Sequence, residues 1–303
     1  MTEGGEGRSS PDPAADRHVD LHTHSTASDG AVEPAGLVER ARAAGLVAVA
    51  LTDHDTVDGV PEAQAAAQTA GIDVIPGVEL SAVEEDREVH ILGLHLRDTA
   101  ALEPRLAALR EARARRAAAM VAALNAQGVG VTLGDVLAHA GAGAVGRPHV
   151  ARALVGAGWA RDQRDAFDRY LATGRVAYVP KEPFSVADAI DLIHAAGGVA
   201  VFAHPGREGT RARLEELRAS GLDGVEVRHP SHSADDQARL GTLAEFLDLV
   251  PSGGSDWHGA TDGPRVLGAM SIPAAWADRQ ARRANAYRQA GGDPWSSGGA
   301  SHS

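Results

Sequence analysis

The 303-residue sequence contains no cysteine. That excludes disulfides and thiolate metal sites, so any metal must be held by His, Asp, Glu and water. No apolar run approaches the ~20 residues of a membrane span, and no membrane contact is expected. Positive charge is scarce: 29 Lys and Arg stand against 41 Asp and Glu, a formal net charge of −12. The deficit argues against a broad basic surface for duplex DNA, though not against a local basic pocket. Residues 1–17 are rich in Gly, Ser, Pro and Asp and lack the apolar centre of a secretory signal. They and residues 291–303 read as disordered tails, and the expected location is the cytoplasm.

Histidine, by contrast, is plentiful, with 14 copies, and the hydrophobic content of 44% is that of a globular protein with a sizeable core. The chain is organised around Asp20-Leu21-His22-Thr23-His24, followed by Asp29-Gly30. On a strand running from Val19 to His24, His22 and His24 share a face, because side chains alternate. Two imidazoles converging in this way form half a metal site. An isolated pair decides little. The rest of the chain decides more.

Helix and strand patterns then alternate. Val32–Ala44 reads as a helix stopped at Gly45, and Leu46–Leu51 as a buried parallel strand leading into Thr52-Asp53-His54-Asp55. A helix at Val60–Ala70 precedes a strand from Ile72 to Glu79 and another from Glu88 to His95. Helical patterns fill Leu102–Gln127, Thr132–His139, Pro148–Val155 and Arg161–Leu171. The alternation resumes at Tyr178-Val179-Pro180, with strands at Val199–Ala203 and Gly224–Val227, and Leu249–Gly254 leads into Ser255-Asp256-Trp257-His258-Gly259. The expected fold is α/β, a parallel sheet or barrel, with active residues at the C-terminal ends of the strands. The expected division is a tail at 1–17, a barrel at 18–98, a helical insertion capping the strand ends at 99–174, more barrel at 175–275, and a C-terminal helix and tail at 276–303.

His22, His24, Asp29, His54, Glu79, His90, His204, Asp256 and His258 all fall at expected strand ends. They exceed the four ligands of one tetrahedral zinc and suit two or three divalent ions bridged by a carboxylate. A lone histidine at a strand end is more often hydrogen-bonded than metal-bound. So many buried polar groups at one end, with no cation to offset their desolvation, is a harder arrangement to account for.

The sequence resembles the PHP (polymerase and histidinol phosphatase) superfamily. The resemblance lies in Asp20-Leu-His-Thr-His, Leu51-Thr-Asp-His-Asp, Pro76-Gly-Val-Glu, Glu88-Val-His-Ile-Leu-Gly, Ala203-His-Pro-Gly and Gly254-Ser-Asp-Trp-His-Gly. It implies a distorted (β/α)7 barrel, a centre of three divalent ions (manganese, with zinc or iron as alternatives) ligated by those nine residues, and Glu79 as the bridging carboxylate. It also implies phosphate ester hydrolysis by a metal-activated hydroxide, with His54 and Asp256 at the catalytic centre.

The helical segment is similar, in Leu109-Arg110-Glu-Ala-Arg113-Ala-Arg115-Arg116, Gly146-Arg147-Pro148-His149 and Phe167-Asp168-Arg-Tyr170, to one subgroup. That subgroup removes the 3′-phosphate of nucleoside 3′,5′-bisphosphates or acts as a 5′→3′ exoribonuclease on short RNA. The similarity implies that Arg113, Arg116 and Arg147 hold the phosphate that is not cleaved, so the expected partner is a small nucleotide or short RNA. Arg147 also starts a helix, where anions are favoured. His229, at a strand end, is a candidate for substrate contact or proton donation. Asp53 and Asp55 either orient ligands or tie turns. The competing readings are a histidinol-phosphate phosphatase, a hydrolase of cyclic dinucleotides or sugar phosphates, and a degenerate binding module without activity.

Overall fold

The computed structural model describes residues 17–85, 87–141 and 143–289. The tails expected at 1–17 and 291–303 lie outside it, apart from Arg17. Strands β1 (His18–Asp20), β2 (Ala48–Leu51), β3 (Asp73–Glu84), β4 (Arg87–Leu94), β5 (Val199–Phe202), β6 (Gly224–Arg228) and β7 (Val250–Gly253) are hydrogen-bonded in sequence order. The short strand β8 (Ile272–Pro273) pairs with β1 in the antiparallel sense. The ends of the sheet come together where Leu21 N–H donates to Gly253 O at 3.2 Å and Thr23 bridges Trp257. The result is a nearly closed, distorted barrel.

Alternation sorts the strand residues into two layers. Ala48, Ala50, Ile75, Leu92, Leu94, Val199 and Val201 belong to an inner cluster. Val49, Leu51, Val78, Leu80, Ile91, Ala200 and Val225 pack outward against helices. These helices are α1 (Pro34–Ala43), α2 (Val60–Ala70) and, further on, α7 (Val186–Ala195), α8 (Arg211–Ala219) and α9 (Ala234–Phe246). Their ends follow local chemistry. Gly71 ends α2 in the left-handed region at φ 69°, and Ser185 and Ser233 cap α7 and α9, each with an Asp three residues on. Helix α10 (Ala274–Gln289) packs on the barrel through Ala277 and Ala284.

Between β4 and α7 the chain forms α3 (Glu103–Ala126), α4 (Leu133–Ala140), α5 (Arg147–Gly156) and α6 (Gln163–Ala166). They have an apolar cluster of their own, from Ala117 to Ala177, that includes Met120, Leu124, Val150 and Leu154. Gly143 sets how closely this lobe approaches the barrel: a Cβ there would lie 2.6 Å from Ser28 O and 2.8 Å from Thr26 O. Among the described residues no helix is long and apolar enough to cross a membrane.

Several expectations need correction. β4 runs antiparallel to both β3 and β5, so the parallel alternation is broken at this strand. The turn joining β3 to β4 is too short for the crossover that a parallel pair requires. No strand forms at Tyr178-Val179-Pro180. The helix expected over Arg161–Leu171 is α6 followed by a π-turn at Phe167–Leu171. Strand β1 ends at Asp20, well short of His24.

Candidate metal centre

Three polar residues of the barrel mouth, Glu79, His90 and Glu226, occupy inward positions of strands whose outward neighbours are apolar. On β3, Val78 and Leu80 face the helices, so Glu79 points inward. On β6, Val225 and Val227 do the same for Glu226. On β4, Leu92 and Leu94 point inward, and so does His90 two residues earlier. Because β4 is antiparallel, its N-terminal end meets the C-terminal ends of the other strands. His90 thus arrives at the mouth from the opposite strand direction.

Glu79 is fully buried and lies at the middle. Its Oε2 is 3.2 Å from Nε2 of His22, 3.2 Å from Nε2 of His24 and 3.1 Å from Nδ1 of His54. Its Oε1 is 2.7 Å from Nδ1 of His90 and 3.1 Å from Nε2 of His204. One carboxylate therefore faces five imidazoles, divided between its two oxygens. Asp256 Oδ1 lies 3.3 Å from His24 Nε2, and Asp29 Oδ1 lies 3.1 Å from His258 Nε2. The structure brings all nine expected residues together. In each of the groups His24–Asp29–His54–His258, His22–His24–Asp256 and His54–Glu79–His90, the candidate ligand atoms lie within 4.8 Å of one another.

His22 and His24 share a face although β1 has ended. The extended path continues through the Thr23–Trp257 bridge and the bond from Thr52 N–H to Thr23 O, and the two Nε2 atoms come 3.1 Å apart. Asp20 anchors this segment by accepting from Ser255 N–H and Oγ and from Gly268 N–H. Asp53 ties the turn before Asp29, accepting from Ser25 N–H, Ser25 Oγ and Ser28 Oγ at 2.6–2.7 Å. Asp55 accepts from Ser81 N–H and from Arg113. Neither carboxylate contacts the central cluster directly. His204 and Asp256 hold left-handed backbone, at φ 33° and 49°, a strain that surrounding contacts must maintain.

The donor set fits divalent cations. His54 Nδ1, on a ring that burial keeps neutral, makes no hydrogen bond, a costly state unless something electron-poor meets its lone pair. Neutral imidazole and carboxylate ligands suit manganese, zinc or iron(II). Electrostatics agree. Burial disfavours charge on Glu79, but His54, His90 and His22 hold its carboxyl well below the usual range. Burial opposes protonation of His24, yet Asp256 and Glu79 raise it to about 10. Burial dominates at His54 and lowers it to about 3 against the pull of Glu79 and Asp29.

Four contributors lie outside the expected set. Glu226, fully buried, lies 3.2 Å from His22 Nδ1 and accepts the His204 N–H at 2.6 Å. Glu88 lies 2.8 Å from His90 Nε2. Lys181 reaches Glu88, and Arg265 bonds Asp256. The alternation around Glu226 in Val225-Glu226-Val227 was a usable signal, whereas nothing in the sequence singles out Lys181 or Arg265.

The expected phosphate-binding residues lie beside the cluster. A cavity of about 170 Å³ is lined by Asp29, His54 and His90 of the cluster and by Arg113, Arg116, Arg147 and Lys181. Arg116 donates to Val179 O at 2.7 Å. His149, next to Arg147 and Pro148, accepts from Gly146 N–H at 2.9 Å and so caps α5. His229 is buried. Its Nδ1 accepts from Ser231 N–H at 3.1 Å, which puts the proton of the neutral ring on Nε2, 3.5 Å from Asp256 Oδ2.

The barrel, the histidine–carboxylate cluster and the flanking cations define a metal-dependent phosphoesterase. The PHP domain model matches residues 20–171, and the chain belongs to the PHP family. A 3′,5′-nucleoside bisphosphate phosphatase of Chromobacterium violaceum is 41% identical over 261 residues, 83% of this chain and 90% of the relative. A 5′-3′ exoribonuclease of Haemophilus influenzae is 40% identical over 251 residues, 80% and 90% of the two chains. A solved structure from Bifidobacterium adolescentis, described as a metal-dependent phosphoesterase, superposes with a TM-score of 0.80 at 36% identity, covering 88% of this chain and 96% of the other. Within the family, the chain's similarity is to the bisphosphate phosphatase and exoribonuclease subgroup.

Proposed function

We propose that this phosphoesterase removes the 3′-phosphate of nucleoside 3′,5′-bisphosphates and, by the same bond cleavage, releases mononucleotides from the 5′ end of short RNA. The observation that carries the reading is the cavity joining His54 and His90 to Arg116, Arg147 and Lys181. A ligand with two phosphates on one ribose matches a cluster at one end and cations at the other. Arginine suits the retained phosphate because its planar fork pairs with two oxygens.

Three divalent ions, manganese by preference, would be held by His22, His24, Asp29, His54, Glu79, His90, His204, Asp256 and His258. When bound, such ions polarise the phosphoryl oxygens and bring the pKa of a bound water toward ~7. The protein's own groups do the rest. Glu226 receives the His22 Nδ1–H and leaves Nε2 free to ligate. Arg113, Arg116 and Arg147 fix the remote phosphate and thereby align the scissile one. As the P–O3′ bond breaks, His229 Nε2–H would donate a hydrogen bond to O3′, which takes its proton from a solvent water. The helical lobe, as the insertion that caps the barrel, shields this step from bulk water.

The test is phosphate release with manganese from adenosine 3′,5′-bisphosphate, a 5′-phosphorylated RNA trinucleotide and histidinol phosphate, with products separated by chromatography. AMP from the first, or stepwise mononucleotides from the second, is the expected result. His204→Ala abolishes turnover, and Arg147→Met mainly raises KM. Histidinol phosphate as the sole good substrate overturns the nucleotide assignment.

A further inference from the structure

Glu88 lies among the cations that face the remote phosphate. Its Oε1 is 2.6 Å from Lys181 Nζ and 2.8 Å from His90 Nε2, and its Oε2 is 3.0 Å from Arg147 NH2. The side chain lines the cavity beside the cluster and also a second one, of about 270 Å³, bounded by Arg87, Thr173 and Tyr178. Two cationic side chains within 3.0 Å thus converge on this one carboxylate.

The other two cations of the cavity have separate attachments. Arg113 is engaged by Asp55 and Ser81, and Arg116 by the Val179 carbonyl. Arg147 and Lys181 both form their ion pair with Glu88. Arg147 also lies over the Phe167 ring, 5.8 Å from its centroid. A phosphate entering here meets donors that a carboxylate already holds. Two anions in contact repel each other, so the carboxylate and the phosphate cannot both keep those positions.

We propose that Glu88 holds, in the resting protein, the place of the substrate's retained 5′-phosphate, and that binding exchanges one for the other on Arg147 and Lys181. The inference rests on the nucleotide reading of this cavity. During the exchange Glu88 keeps its bond to His90 and releases the two cations. A 5′-hydroxyl cannot displace a carboxylate from an arginine fork. A phosphate dianion, with more charge and a third oxygen, can. Glu88 thereby favours 5′-phosphorylated ligands over unphosphorylated ones and lowers the affinity for both phosphorylated substrate and product.

Calorimetry of AMP and adenosine binding to metal-loaded wild type and Glu88→Gln tests this. Glutamine keeps the shape and an acceptor for His90 while removing the charge. AMP is expected to bind about tenfold more tightly to the variant, with adenosine unchanged and the gain abolished by adding Arg147→Met. Equal or weaker AMP binding by a Glu88→Gln protein of normal metal content overturns the exchange. Should that variant lose metal, a crystal structure of AMP-bound wild type decides: Glu88 parted from Arg147 supports the exchange, and an intact ion pair overturns it. Turnover of the bisphosphate separates the two claims. Turnover without the AMP gain removes only the exchange, and an AMP gain without nucleotide turnover removes only the substrate assignment.

Discussion

Arg113 and Asp55 form a nearly buried pair, with Nε at 2.6 Å and NH2 at 2.5 Å from the same carboxylate oxygen. NH2 also reaches Ser81 Oγ at 2.8 Å. NH1 turns the other way, toward Gly146, where a Cβ would lie 3.1 Å from it. One edge of the guanidinium is thus fixed to the barrel and another is presented to the cavity beside the cluster.

Asp55→Asn should leave a buried guanidinium without its countercharge. The expected loss is about 3 kcal/mol of stability in a denaturant titration. KM for the bisphosphate should rise about tenfold, because Arg113 NH1 loses its aim. A variant with unchanged KM would make the pair a purely structural tie.

Glu226→Gln should weaken metal binding by about 10- to 100-fold, as is usual when a carboxylate behind a ligating histidine is lost. The carboxylate also restrains the His204 backbone at its left-handed φ of 33°, through the 2.6 Å bond from its N–H. Metal content after dialysis against graded chelator is the measurement. Retention equal to wild type would remove Glu226 from the proposed centre.

Metal binding should release protons and strengthen as pH rises. Burial opposes charge on His24 and His90, but neighbouring carboxylates raise them to about 10 and about 9, so both are protonated in the metal-free protein at neutral pH. The ligating form is neutral. The same shifts stabilise the metal-free fold fully below the unfolded histidine value of ~6.5, and that contribution is lost as pH rises through about 9 to 10. The gap in Tm between metal-loaded and metal-free protein should therefore widen from pH 6.5 to 9. A constant gap contradicts proton–metal competition.

Gly254→Ala should damage the centre without touching a candidate ligand. Its Cβ would fall 2.5 Å from His22 N and Cβ and 2.8 Å from Asp20 Oδ1. Backbone must move to relieve such contacts, and the segment that moves carries His22. Reduced metal content together with a lower Tm is expected. Wild-type values for both would show that the strand ends tolerate separation.

The sequence exposed the barrel because its strands are short apolar runs that end in polar residues. It exposed Glu79 and His90 through strand alternation, and the other candidate ligands as polar residues in the segments that follow the strands. His90 reaches the cluster by a route that periodicity could not reveal, since an antiparallel strand and a parallel one look alike in pattern. Glu226 was legible as a carboxylate between two outward valines. Glu88 was not, because its meaning depends on Lys181 and Arg147, 93 and 59 residues away. The partners of Asp53 and Asp55 were hidden for the same reason. Local sequence shows which residues are polar at a strand end, and only the fold shows which of them meet.

Helix α3 has a mechanical consequence. Its 24 residues make a rod about 36 Å long. Leu106, near its start, is set in the barrel's outer core, and Ala117 to Leu124, near its end, belong to the core of the lobe. Arg113 and Arg116 sit where the rod passes from one to the other. The lobe cannot tilt as an independent lid without bending this rod between Leu106 and Ala117. With the retained phosphate on these arginines, as proposed, its distance from the metal cluster becomes a fixed ruler, and a ligand with its two phosphates at a different spacing would be rejected by length before its chemistry is tried.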